Sequence, residues 1–415
     1  MWVSLAVVVV AYYFKGQCLQ PIEGRDLYQR LCYSDLPPLY GLRGIADHVF
    51  PYVNARLEGG GLVDGAIEYP VLTGLFMWFS GLLVENHEQY FVVSALTMGP
   101  LALVVAYLLG RLAGWRALMW AAAPPLVLYA FHNWDLLVVT ATVVGLWFWS
   151  RGRPVWAAVW LGIGGAFKLY PIFFVAPLFL YVLHKHGGGR ATAVAGAGVG
   201  TFALVNLPFV IVNPTGWWAT YEFHRLRGPN FDSMWALWFP SDTWLGSYPS
   251  LTPDRLNLVS AVLTGLFFAV ALGAGWRRAK REGAYPFPEV CGALLVAFML
   301  WSKVHSPQYT LWILPFFVLL RVNVLWWVGY VVVDAVTYYG VFEWFYDVSQ
   351  GRDFETAKKM MIGGVWYRAV LLLTLFVVFL RARAAPPGPE AEPAGVREPR
   401  APEPVLDDTA VAAPV

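Results

Sequence analysis

Phe91-Val-Val-Ser-Ala-Leu-Thr-Met-Gly-Pro-Leu-Ala-Leu-Val-Val-Ala-Tyr-Leu-Leu-Gly110 is an uncharged run of twenty residues, and Arg111 closes it. About 20 mostly apolar residues in a helix cross the hydrocarbon of a bilayer, and a helix satisfies its own backbone there. Similar apolar runs recur near 1–14, 117–131, 136–150, 155–167, 172–183, 191–212, 256–275, 286–302, 308–320, 322–341 and 361–380. Of the 415 residues, 58% are apolar and only 13% charged, where a soluble domain carries roughly a quarter charged. The runs are too long and continuous for the alternating pattern of an outer-membrane barrel. An all-α polytopic membrane protein follows, a helical bundle of about twelve spans. Several runs fall short of a full span, so their helices extend into the flanking motifs or the bilayer thins locally.

The two ends of the chain differ. Residues 1–14 lack a charged lead-in and a small-x-small cleavage site, which favours an anchor helix over a signal peptide. Residues 384–415 are rich in Pro, Ala and Glu and have no aromatics. Such a segment buries too little apolar area to offset its ordering entropy, and a disordered cytoplasmic tail is expected. No internal repeat marks the halves of a transporter.

Charge sets the orientation. Arg111 and Arg116 share one gap and Arg151 and Arg153 the gap two segments on. Lys185 with Arg190, then Arg277, Arg278, Lys280 and Arg281, then Arg321, then Arg381 with Arg383 follow. Taken every second gap, they assign one face and both termini to the cytoplasm. The assignment requires that residues 70–84 do not cross. That stretch is shorter than a span and is followed by Glu85 and Glu88, so it is expected to be a re-entrant or interfacial helix.

The remaining gaps then face outward, and they hold most of the polar chemistry. The first extracellular loop, 15–69, contains Cys32-Tyr-Ser-Asp35-Leu-Pro-Pro-Leu-Tyr40 and Ile67-Glu-Tyr-Pro70. His132-Asn-Trp-Asp135, Lys168-Leu-Tyr-Pro171, a Trp-rich loop 213–255 and Lys303-Val-His-Ser-Pro-Gln-Tyr309 follow. Ionisable groups at membrane depth are costly and mark a pathway, a partner or a site. The candidates are Asp35, Tyr40, Glu68, Tyr69, His132, Asp135, Lys168, Tyr170, Lys303, His305 and Gln308. Each has a plainer role open to it. Asp35 suits a turn before Pro37, and Glu68 suits a helix start. Asp135 suits an N-cap and Lys168 a snorkelling helix end. His305 and Gln308 suit backbone freed by Pro307. Most tryptophans suit interface anchoring. Cys18 and Cys32 share a compartment that permits a disulfide, which would contribute about 3 kcal/mol; Cys291 suits packing.

The order of an early aspartate in a long outer loop, Tyr69-Pro70 opening an apolar helix, Lys168-Leu-Tyr-Pro171 and Ser306-Pro-Gln-Tyr309 resembles glycosyltransferase family 87 over roughly residues 1–380. The resemblance implies a C-fold (GT-C) glycosyltransferase that uses polyprenyl-phosphate sugars, with actinobacterial mannosyltransferases in the group. It implies inverting transfer, of mannose in the group's mannosyltransferases, to a glycolipid or cell-envelope glycan acceptor outside the cytoplasmic membrane, with no nucleic-acid partner. It places the catalytic carboxylate in the first outer loop, which matches Asp35. Ser34 and Leu36 flank Asp35 where many C-fold enzymes have adjacent acids. No cofactor is therefore expected, and the case for a divalent metal is weakened.

The residue types suit that chemistry. The donor already carries a phosphate leaving group, so the acceptor hydroxyl needs a base, worth about 10² to 10⁴ in rate, and placement. Charge grows on the departing phosphate, so Lys168, His305 and Lys303 are expected around it, with Lys168 or Arg43 keeping Asp35 ionised. The competing reading is a transporter or flippase of lipid-linked or small solutes. It predicts ionisable groups at mid-bilayer and broken helices, whereas the spans here look nearly free of charge apart from Asp334.

Overall fold

The computed structural model describes residues 1–19, 26–238 and 252–385; Glu23, Trp244 and the tail 386–415 lie outside them, as do the side chains of Asp26 and Trp238. Each of the twelve apolar runs is helical, 117–131 as two short helices, Leu118–Ala121 and Pro124–Tyr129. Pro124 and Pro125 lack the N–H groups that would continue the first of these. Among the described residues, five helices are long and apolar enough to cross a membrane: His87–Ala121, Gly188–Val212, Pro253–Glu282, Val324–Gln350 and Glu355–Arg381. That is fewer than the twelve expected, because helices such as Trp2–Gly16, Asp135–Ser150 and Phe287–Trp301 are shorter. Asp135–Ser150 is walled in by its neighbours along most of its length.

The basic gaps meet at one end of the bundle. Arg116 donates to the carbonyls of Phe317 (2.7 Å), Val318 (3.0 Å) and Leu320 (2.7 Å). Arg278 donates to those of Leu380 (3.3 Å) and Ala382 (2.7 Å), and the Arg321 amide to that of Arg383 (2.8 Å). These groups cover carbonyls that helix C-termini leave without intrahelical partners. The helix Thr310–Leu319 runs from there to the other end, where the polar gaps gather.

The first loop folds over that polar end. It holds the helix Leu36–Leu42 and a hairpin of Arg56–Glu58 with Gly61–Val63. Cys18 and Cys32 are joined in a disulfide, and Cys291 is free and buried. Val71–Gly81 has 11 residues, about 16 Å of helix against some 30 Å of hydrocarbon. The loop touches it along its length: Tyr52 Oη donates to Pro70 O (3.1 Å), Trp78 Nε1 to His48 O (3.1 Å) and Tyr40 Oη to Val84 O (3.4 Å).

The spans carry more buried charge than expected. Lys15, Asp334, Arg368 and Glu289 are all under 5% exposed, and each has polar partners. Lys15 Nζ donates to Tyr33 O (2.6 Å) and Tyr338 Oη (3.0 Å). Asp334 accepts from Tyr129 Oη (2.9 Å) and Thr310 Oγ1 (2.6 Å), and Arg368 donates to Asp232 O.

Small residues let helices approach closely where apolar lipid gives no drive to associate. A Cβ on Gly198 would lie 2.9 Å from Val175 Cγ2 and 3.1 Å from Ala158 O, whereas one on Gly200 would meet nothing. Gly198→Val should cost about 1–3 kcal/mol by overpacking, and Gly200→Val within about 0.5 kcal/mol. Thermal unfolding in detergent checks this, and equal midpoints would contradict the packing.

Candidate active site

Asp35 precedes the helix Leu36–Leu42 at the N-cap position yet makes no capping bond. An N-cap aspartate accepts from the N–H of N2 or N3. Here N2 and N3 are Pro37 and Pro38, which have no N–H to give. The carboxylate is left for other partners, and Ser34 Oγ takes the one remaining donor, Leu36 N (3.2 Å). Two bonds fasten this segment to the next polar gap: Ser34 Oγ donates to Phe131 O (2.7 Å) and Asp35 N to His132 O (2.8 Å).

Asn133, fully buried, stands against the carboxylate. Its Nδ2 donates to Asp35 Oδ2 (2.7 Å) and to Tyr69 Oη (2.6 Å). Its Oδ1 accepts from Trp134 N (2.6 Å) and Lys168 Nζ (3.3 Å). Lys168 follows the helix Pro154–Phe167 in extended conformation, where Pro171 packs on Gly164 and ends the turn. Its ammonium meets both oxygens of Asp135, at 2.8 Å each, and Trp312 Nε1 donates to the same carboxylate (2.7 Å). The rings of Tyr69, Tyr309 and Trp312 surround the amine at 5.3, 5.9 and 5.6 Å.

Burial lifts the pKa of Asp35 above its usual value, and hydrogen bonds from Asn133 and Tyr33 oppose the rise. The expectation that a nearby cation favours ionised Asp35 holds for Lys168, whose field is weaker than either hydrogen bond. Arg43 is committed to Glu68 through two bonds (2.6 and 3.0 Å), and Lys168 to Asp135. Neutral donors contact the carboxylate instead.

Asp35, Glu68, Tyr69, Lys168, Tyr170, Lys303 and Gln308 line one cavity of about 1130 Å³. Trp312, Trp344, Phe223, Phe354 and Ile362 give it apolar walls. Gln308 Oε1 is buried there with no hydrogen-bond partner among the described residues. Among the described residues Lys303 Nζ meets only carbonyls, Arg225 O (3.0 Å) and Arg227 O (2.7 Å). Its pKa is lowered to about 8 by burial and then by Arg227. Arg227 lines the same cavity with its guanidinium over Phe223, in no ion pair with a described residue. His224 also lines it; burial lowers its pKa to about 4, and the neutral ring donates from Nε2 to Glu68 O (2.8 Å). Among the described residues no group of three or more His, Cys, Asp or Glu is placed to hold a metal.

Other expected residues sit elsewhere. His305 does not line the cavity: its Nδ1 meets Met299 O (3.1 Å), a carbonyl left open where the helix Phe287–Trp301 ends. Asp135 lies behind Lys168. His132 is buried beside Lys15, Nδ1 to Nζ 3.3 Å, and Tyr40 is stacked on Tyr90 at 4.9 Å. Asn133, Arg227, His224 and Tyr33 were missed. Arg227 carried a signal, a cation on the face where the positive-inside rule expects few, and so did His224, an ionisable group at membrane depth.

The chain matches the family model of glycosyltransferase family 87 over residues 68–307, more than half of its 415 residues. The matched stretch contains Asn133, Asp135, Lys168, Arg227 and Lys303; Asp35 precedes it. Among solved structures it is similar to the crystal structure of ArnT from Cupriavidus metallidurans bound to undecaprenyl phosphate. The two share 15% identity and a TM-score of 0.44, over 91% of this chain and 76% of that one. No curated protein matches. The order of motifs around the cavity and the family match agree: the chain belongs to glycosyltransferase family 87.

Proposed function

We propose that this protein transfers a mannosyl group, with inversion, from a polyprenyl-phosphate sugar to a glycolipid or cell-envelope glycan on the outer face of the cytoplasmic membrane. The observation that carries the proposal is a single cavity lined by the uncapped carboxylate of Asp35 and by two cations without carboxylate partners among the described residues, Lys303 and Arg227. The acceptor hydroxyl oxygen attacks the anomeric carbon as the bond from that carbon to the phosphate oxygen breaks. The bonding pair leaves with the polyprenyl phosphate, and Asp35 takes the hydroxyl proton. Lys303, with one N–H beyond its two carbonyls, and Arg227 meet the growing phosphate charge. Gln308 Oε1 accepts from a sugar hydroxyl. The choice of mannose and of a polyprenyl carrier rests on the family resemblance, and the apolar walls suit a lipid-linked substrate.

Asp35→Asn keeps size and removes basicity, so transfer from polyprenyl-phosphate mannose to membrane glycolipid should fall at least about 10²-fold, with donor binding retained. Asp26→Asn and Asp47→Asn should be mild by comparison. Full turnover by the Asp35→Asn protein would refute the assignment. In the wild type, Asp35 must be ionised to act. Because burial raises its pKa, kcat/KM should fall on acidification at a pH above the ordinary carboxylate range, and a rate flat down to that range would contradict it.

Removing a charge-assisted contact costs about 1.5–3 kcal/mol. Arg227→Ala and Lys303→Met should therefore each weaken donor phosphate binding by about tenfold or more. Titration with polyprenyl phosphate reads this directly, and unchanged affinity in both variants would remove them from the phosphate site.

A further inference from the structure

The ammonium of Lys168 has three protons, and three acceptors take them: the two oxygens of Asp135 and Asn133 Oδ1. None is left for a phosphate oxygen. The buried pair is also electroneutral, and three aromatic rings surround its amine. Asn133 is equally saturated. An amide has two donor hydrogens and two acceptor lone pairs, and Asn133 spends them on Asp35, Tyr69, Trp134 N and Lys168. A flipped amide would turn its oxygen on Asp35 and its hydrogens on Lys168, so the Lys168 contact selects one orientation.

We infer that Asn133 is a positioning residue for Asp35, and that the Asp135–Lys168 pair serves to lock its amide rather than to bind the donor. The inference rests on the reading of Asp35 as the base. The chain of contacts runs from Asp135 through Lys168 and Asn133 to Asp35, from the helix Asp135–Ser150 and the end of Pro154–Phe167 to the first loop. Tyr69, held by the same Nδ2, opens Val71–Gly81, so one amide fixes both walls of the cavity next to the carboxylate.

The groups that face Asp35 decide how its titration responds. Tyr33 from its own segment and Asn133 from the opposite gap donate hydrogen bonds, Lys168 adds a smaller favourable field, and Glu68 opposes. Lys15, from the first helix, is also within its field. Deleting Asn133's donor removes stabilisation of the charged form while the others stay, so Asp35 should protonate at higher pH.

Asn133→Ala should lower kcat by about 10²-fold, since small misplacements of reacting groups cost that much. KM for polyprenyl-phosphate mannose should stay near the wild-type value, and the acid limb of the pH–rate profile should move upward. Asn133→Asp keeps the side-chain size and serves if the alanine variant does not fold; it should show the same loss and a larger upward move. Lys168→Met with Asp135→Asn, which leaves no buried charge unpaired, should reproduce a weaker form of the Asn133→Ala phenotype with donor binding intact. A raised KM at unchanged kcat, or lost donor binding in the double variant, would overturn the inference by making the lysine a substrate ligand. A lower kcat with an unmoved acid limb would overturn it by making Asn133 merely structural. If Asp35→Asn itself turns over normally, the base assignment fails, and that result is separate from any of these.

Discussion

Hydrocarbon leaves no polar group to water, so each one that enters must bring its partner. That constraint arranges the molecule. The helices close their own backbone bonds, and the carbonyls left at one end are covered by Arg116 and Arg278. At the other end the same demand is met by side chains from distant gaps, which is why Asp135, Lys168, Asn133 and Asp35 form one connected set. The charges inside the spans obey it too. Asp334 is met by Tyr129 and Thr310, and Arg368 by Asp232.

Within that arrangement the cavity divides its polar work. Lys168 and Arg43 are cations whose charge is already answered, by Asp135 and Glu68. A buried pair gains little net stability over apolar packing but is costly to break, so such a pair suits a fixed frame better than an exchangeable ligand. Among the described residues Lys303 and Arg227 are answered only by carbonyls and a ring. Their charge is the part of the site still open to an incoming anion.

Much of the fold was legible in the sequence, because hydrophobic length and the placement of arginines are local properties. The run ending at Gly110 and the gap at Arg111 need no knowledge of neighbours. Asp35 was legible as well, as a carboxylate ahead of two prolines in a long polar loop. Its setting was only half seen: the sequence offers a turn before Pro37, whereas Pro37 and Pro38 also withhold the amides that would have captured the carboxylate. Asn133 was not legible. Its importance comes from contacts 98 residues back and 35 residues on, and a lone asparagine at a helix start looks like any other. His305 misled for a related reason. Whether it faces a ligand or caps Met299 depends on where the preceding helix stops, and sequence-based boundaries are uncertain by a few residues.

The contact between Lys15 and Tyr338 has a consequence for how the protein is made. The two residues lie 323 positions apart, and a ribosome adding 5–20 residues per second separates their emergence by roughly 15–65 s. During that interval the first helix must hold an ammonium whose final hydroxyl partner has not been synthesised. The first loop, fastened to that helix through Tyr33 and the disulfide, cannot settle over the cavity before then. Its assembly is a late event in biogenesis, and a truncated chain would lack Trp344, Phe354 and Ile362, which complete the pocket around Asp35.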